Sequence, residues 1–202
     1  MGKLPSSETI TALEAFDSKS VLAGTQSGRL FHVVVGGAIS ELSFDTGVNG
    51  AIVGIASDGR TVLCAKGSVL FAGAVGTQPL FLLDAAVFPP NGFGSGRPGP
   101  AGSRSPAAFR GICGNRNQKY ALGLTFAVAV AEDPTVLASS EVWASSSPFG
   151  VIWHKADGGL PVGVRAADLV FSETESSGQL LLSTYGRSLW SLNFWALCSF
   201  VR

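Results

Sequence analysis

Charge is scarce in this chain. Asp, Glu, Lys and Arg make up 14% of its 202 residues, against about a quarter in ordinary globular proteins. The formal net charge is zero, so the chain lacks the overall basicity of a general nucleic-acid binder. So little charge on a chain that is 46% hydrophobic implies a surface that is small and polar, covered, or held against a partner. Long apolar runs are missing too. The uncharged stretch Leu189 to Val201 is thirteen residues long. A membrane helix needs about 20, so no span is expected, and the stretch reads as one or two buried strands. The N-terminus, Met1-Gly2-Lys3-Leu4-Pro5-Ser6, has no apolar signal core. Gly2 and Ser6 fit the loose myristoylation pattern, but Lys3 directly behind the glycine favours an ordinary start.

The chemistry-bearing sets are equally sparse. Cys64, Cys113 and Cys198 are odd in number and form no CxxC; none has metal-ligand spacing to His32 or His154. Each lies in an apolar run, where a free thiol behaves as a small hydrophobe. This favours an intracellular protein, or an organelle if a transit peptide has been removed. There is no Gly-x-Ser-x-Gly elbow, no phosphate-binding loop and no dinucleotide fingerprint. No cofactor or metal is expected, and a small-molecule ligand is disfavoured. A sialidase needs an arginine triad and a tyrosine nucleophile, yet the only tyrosines are Tyr120 and Tyr185. Other glycosidases need two carboxylates across a cleft. Asp45, Asp58, Asp84 and Asp168 are the candidates, and each reads better as a turn residue bonding its own backbone.

What the chain has in abundance is turn chemistry, with 26 glycines and 10 prolines. They cut the apolar sequence into short runs, which is the strand-and-turn signature. The best helical candidate is Thr9 to Phe16, where Ile10, Leu13 and Phe16 recur every third residue, but it also reads as a strand. A weak repeat organises the runs. Val21 to Thr25 then Gly28 to Phe31, Val62 to Lys66 then Val69 to Phe71, Val136 to Ser140 then Val142-Trp143, and Leu181 to Tyr185 then Gly186 to Trp190 are four copies, with starts separated by 41, 74 and 45 residues. About 40 residues is the period of a propeller blade, and 74 is nearly two. Apolar strands precede three copies, at Ile10 to Phe16, Ala51 to Ala56, and Leu169 to Phe171 with Val164. The fold expected is all-β: a small or incomplete β-propeller of four or five antiparallel blades, as one domain over 1–202. The Gly/Pro/Arg-rich stretch at about 89–106 cannot form a blade strand and reads as a flexible insertion. A degenerate blade is expected over Phe109 to Thr125, with Lys119 to Leu124 as a strand.

Two segments carry a family resemblance. Trp143 to Trp153 is similar to the hairpin of Asp-box (BNR-repeat) propellers, Ser-x-Asp-x-Gly-x-x-Trp. Ser146, Gly150 and Trp153 match, while Pro148 replaces the aspartate. Gly159-Leu160-Pro161, Asp168 to Phe171, and Thr184 to Trp190 with Gly186, Arg187 and Trp190 resemble the closing blade of sortilin-like and photosystem-assembly-factor-like propellers. The resemblance implies a propeller in which these are structural residues. Its members serve as hydrolases, receptors and assembly factors alike.

With catalytic sets absent, the expected function is a non-enzymatic scaffold that docks other protein chains, as a subunit or accessory factor of a larger assembly. Phe194, Trp195 and Phe200 are its first contact candidates, and Arg97, Arg104 and Arg110 its second. The second candidate function is a carbohydrate-binding propeller or hydrolase relative, with Trp143, Trp153 or Trp190 stacked on sugars; core packing is the competing role for those rings. A third follows from charge. Ala85 to Ala131 holds five basic residues and no acid, a local +5 that leaves −5 elsewhere. Residues 97–119 are therefore candidates to bind RNA or an acidic surface, tunable by phosphorylation at Arg104-Ser105-Pro106.

Overall fold

The computed structural model describes residues 5, 7–67, 69–83, 108–114, 126–131, 140–145, 153–156, 164–173, 178–186 and 189–193. Every regular element among them is a strand. The chain falls into two compact units, Met1–Leu83 and Asp84–Arg202.

The first unit holds two antiparallel sheets in simple up-and-down order. β1 (Ile10–Ala15), β2 (Ser20–Thr25), β3 (Leu30–Val34) and β4 (Ile39–Leu42) form the first sheet; β5 (Ile52–Ser57), β6 (Thr61–Lys66), β7 (Val69–Ala74) and β8 (Thr77–Leu82) form the second. Two repeat copies are thus β2–β3 and β6–β7. The period-three segment at the N-terminus is a strand: Ala12 and Phe16 pack on the core while Leu13 points away. The fourth strands were not legible. β4 is only four residues long, and β8 carries Pro79, which is tolerated because β8 is an edge strand.

The core of this unit lies between its sheets. Leu22, Leu30 and Leu42 of the first meet Ile52, Ile55, Val62, Cys64, Phe71 and Leu80 of the second. The approach is close at Gly24, where an added Cβ would lie 2.3 Å from Cγ2 of Ile52. Polar ties fasten both ends of the interface. The Thr11 hydroxyl donates to the Ile52 carbonyl at 2.6 Å. The Asp45 amide donates to the Leu80 carbonyl, and the Leu80 amide to the Ser43 carbonyl, each at 2.8 Å.

The second unit also holds two sheets. β9 (Ala108–Gly114), β10 (Phe126–Ala131), β11 (Ser140–Ser145) and β12 (Trp153–Lys155) form the third; β13 (Ala166–Glu173), β14 (Gly178–Thr184) and β15 (Leu189–Asn193) form the fourth. Val142, Ala144 and Ala156 of the third pack on Ala166, Leu169, Leu180 and Leu182 of the fourth, with Phe171 and Trp190 against them. The closing repeat copy is β14–β15. The third copy is corrected: β11 runs without a break through Ser140 to Ser145, where a turn was expected, and its hairpin partner is β10. The described part of the expected degenerate blade Phe109–Thr125 is corrected: it lies in β9, the edge strand of the third sheet, rather than in a blade of its own. The insertion at 89–106 and the expected strand Lys119–Leu124 lie outside the described residues.

Candidate functional site

The β2–β3 turn of the first unit gathers the densest set of charged groups described. Gly28 turns the chain at φ 82°, which sets Arg29 at the start of the returning strand. From there its guanidinium reaches two carboxylates. Nη1 lies 3.1 Å from Glu8 Oε1. Nε donates to Glu41 Oε1 at 2.9 Å, and Nη2 also donates to Glu41. The pairing with Glu41 is two-pronged, the geometry in which a guanidinium fork matches a carboxylate. The Arg29 guanidinium also lies 4.8 Å from the Phe31 ring centroid, a cation–π contact. The Ser27 hydroxyl donates to Glu8 Oε2 at 2.6 Å, and Thr25 and Ser27 share a hydrogen bond at 3.0 Å. The Glu8 side chain is only 6% exposed, whereas Glu41 is open at 44%. Nearby, Lys66 Nζ sits 4.3 Å from the Phe44 ring centroid.

The electrostatics make this a closed knot. The Ser27 hydroxyl foremost, then Thr25 and Arg29, hold Glu8 below the usual carboxylate range. Hydrogen bonding from Arg29 does the same for Glu41, and Arg29 is raised in return. Both carboxylates are therefore anions at neutral pH and poor proton donors, the reverse of a glycosidase acid, whose pKa must be raised. A group with a lowered folded pKa stabilises the fold above its unfolded pKa, and that contribution is lost as pH falls through the folded value. Arg29→Met should therefore cost stability at pH 7 and shrink the stability difference between pH 7 and pH 3. Denaturant unfolding at the two pH values checks this; an unchanged acid sensitivity contradicts it.

The carboxylates proposed from sequence are structural where described. Asp58 Oδ1 accepts from the amides of Arg60 at 2.8 Å and Thr61 at 2.6 Å, capping the β5–β6 turn. Asp45 Oδ1 accepts from the Leu82 amide at 3.0 Å, and Asp168 Oδ1 from the Leu169 amide at 2.8 Å. Asp84 lies outside the described residues. His32 packs its ring edge-on to Phe16, centroids 5.4 Å apart.

In the second unit, Trp143 and Trp153 are both 4% exposed, so neither offers a free ring face. They lie diagonally on one side of the β11–β12 pair. Trp190 packs on the inter-sheet core, and Gly186 occupies the β14–β15 turn at φ 76°. Tyr185 in that same turn presents an exposed ring, with the Arg165 guanidinium 5.2 Å from its centroid. Arg110 lies on β9, with only its backbone described. Phe194, Trp195, Phe200, Arg97, Arg104, Ser146, Gly150 and Arg187 lie outside the described residues. Sequence reasoning missed the Glu8–Arg29–Glu41 knot and the Arg165–Tyr185 stack, because both join residues far apart in the chain. Among the described residues no group of three or more His, Cys, Asp or Glu could hold a metal ion. No described helix is long and apolar enough to cross a membrane.

No protein-family model matches the chain, and no curated protein matches it. Among solved structures, an ancestral GH74 enzyme, a β-propeller-type glycoside hydrolase, matches with a TM-score of 0.58 at 15% identity, over 91% of this chain and 25% of that one. The fold is a small or incomplete β-propeller. The chain spans about a quarter of the enzyme's length. At this identity the likeness concerns architecture, and it identifies the four sheets as blades.

Proposed function

We propose that this propeller-type chain is a non-catalytic interaction module that docks other protein chains through the open faces of its blades. The carrying observation is the outer face of the first blade. Leu13 is 64% exposed there, and Val21, Val33 and Ile39 on the same face are partly exposed. Ala23 and Phe31 on this face are buried, so its exposed apolar part is the Leu13 edge and the Val21–Val33–Ile39 row; exposed apolar surface marks interaction sites. The ion-paired carboxylates of the Arg29 knot support the non-catalytic part. In the same reading, the Trp143–Trp153 hairpin is a degenerate Asp-box whose tryptophan serves packing. The experiment is binding of an apolar fluorescent dye. The wild-type chain should bind it, and Val33→Asp should lose most of the signal while keeping its far-ultraviolet spectrum. A wild-type chain that binds no dye overturns the reading.

A second reading is favoured by the exposed Tyr185 ring: a carbohydrate-binding blade, the ring stacking on a sugar. The glycoside-hydrolase neighbour supports it at the level of fold class alone. Retention on an immobilised β-glucan, lost in Tyr185→Ala, would favour it over docking; no retention of the wild-type chain dismisses it.

A further inference from the structure

The first, second and fourth blades share one corner. The amide that follows the second strand donates to the carbonyl that precedes the first: Gln26 to Thr9 at 2.8 Å, Gly67 to Ala51 at 2.9 Å, and Tyr185 to Arg165 at 2.9 Å. Directly after that carbonyl each first strand shifts register, between Ile10 and Ala12, Ile52 and Gly54, and Ala166 and Asp168. Such bulges re-aim the side chains beside them. What the corner carries differs from blade to blade. In the first, the neighbouring cation Arg29 is tied to Glu8 and Glu41. In the second, the two corner residues are Ala51 and Gly67, which bring no polar side chain. In the fourth they are Arg165 and Tyr185. The tyrosine is 60% exposed, and the half-buried arginine holds its guanidinium 5.2 Å from the ring centroid. Among the described residues no carboxylate forms an ion pair with Arg165. Asp168, the nearer acid of β13, has its Oδ1 on the Leu169 amide.

Resting on the carbohydrate reading above, we propose that this corner binds an acidic polysaccharide: a uronate unit lies on the Tyr185 ring and its carboxylate pairs with Arg165. The negative face of an aromatic ring attracts the polarised C–H groups of a sugar. The guanidinium fork matches the two oxygens of a carboxylate. A uronate carries both features in one ring, which fits a cation and an aromatic ring held side by side. A neutral glucan would use the tyrosine alone and leave the guanidinium without a partner. The ring contact also holds the arginine in place before binding, which lowers the cost of ordering it around an anion.

The test compares binding to immobilised polygalacturonate, to its methyl ester, which is the same polymer without charge, and to the neutral β-glucan. The wild-type chain should bind the acidic polymer most tightly. Arg165→Gln should weaken that binding by about ten- to hundredfold, the loss of a hydrogen bond to a charged group, and leave binding to the methyl ester unchanged. Tyr185→Ala should lose both. The buried Trp143 and Trp153 report by fluorescence that the second unit of each variant stays folded. Equal wild-type binding to polygalacturonate and its ester overturns the proposal and leaves the carbohydrate reading standing, as does binding to the β-glucan alone. Binding to none of the three overturns both. Polygalacturonate binding that survives Tyr185→Ala is charge attraction without the site and overturns the proposal. Displacement by polyglutamate as effective as by free polygalacturonate also overturns it, and would indicate an acidic protein partner instead.

Discussion

Phe71→Ala is expected to lower the unfolding free energy of the first unit by about 3–5 kcal/mol, the range for truncating a fully buried aromatic. Phe71 is completely buried. Its ring stands edge-on to Phe44 with centroids 4.7 Å apart, and it shares a cross-strand row with Cys64 and Leu82. Truncation removes apolar contact and leaves a cavity at the joint between two sheets. The backbone there is hydrogen-bonded on both sides of β7 and cannot collapse inward. The four tryptophans all lie beyond residue 83, so none of them belongs to this unit. Amide exchange in β5–β7 is the appropriate readout. At about 1.4 kcal/mol per decade, protection there should fall by roughly a hundredfold or more. A loss under tenfold would mean that the two sheets do not pack as described.

The second large effect is at Gly28. Its φ of 82° lies in the left-handed region, which costs a residue with a Cβ about 1–2 kcal/mol. An added Cβ would also lie 2.2 Å from the Gly50 carbonyl oxygen and 2.8 Å from Lys66 Cε. The lysine can swing away, but the backbone oxygen cannot, and overpacking adds about 1–3 kcal/mol. Gly28→Ala should therefore destabilise the first unit by about 2–5 kcal/mol, both terms together. Gly36 is the control. Its φ is 72°, with no atom within 4 Å of an added Cβ, so Gly36→Ala should show only the left-handed cost. Equal effects of the two substitutions in denaturant unfolding would contradict the close approach of the β2–β3 turn to Gly50.

The β-hairpins at β2–β3, β6–β7 and β14–β15 were legible because each pairs apolar runs around a glycine-bearing turn. The third repeat copy slipped because a turn was expected at Glu141, where β11 runs on unbroken and pairs with Phe126–Ala131; residues 136–139 lie outside the described residues. Edge strands escaped notice for a physical reason: β4 and β8 are the end strands of their sheets, β8 having beyond it only the single bridge between Leu80 and Phe44, and so they tolerate polar residues and Pro79. The Arg29 knot could not be read from spacing, since Glu8, Arg29 and Glu41 come from the segment before β1, the β2–β3 turn and β4. Nor could sequence separate Leu13 from Ile55. Both are aliphatic residues in first strands of blades, and only the presence of a neighbouring sheet makes one a core residue and the other a surface.

That contrast is the centre of the account, and thiol labelling measures it most directly. In a background with Cys113 and Cys198 replaced by Ser, Leu13→Cys and Ile55→Cys are each exposed to a thiol reagent in dilute solution. Native Cys64 is fully buried, with its pKa pushed up to about 12 by burial, and should stay silent until unfolding. Leu13→Cys should label at the rate of a free thiol, and Ile55→Cys only when the first unit opens. Equal protection at the two positions in dilute solution would mean that the first blade's outer face is covered within the chain itself, and would contradict both the open face and the docking role built on it.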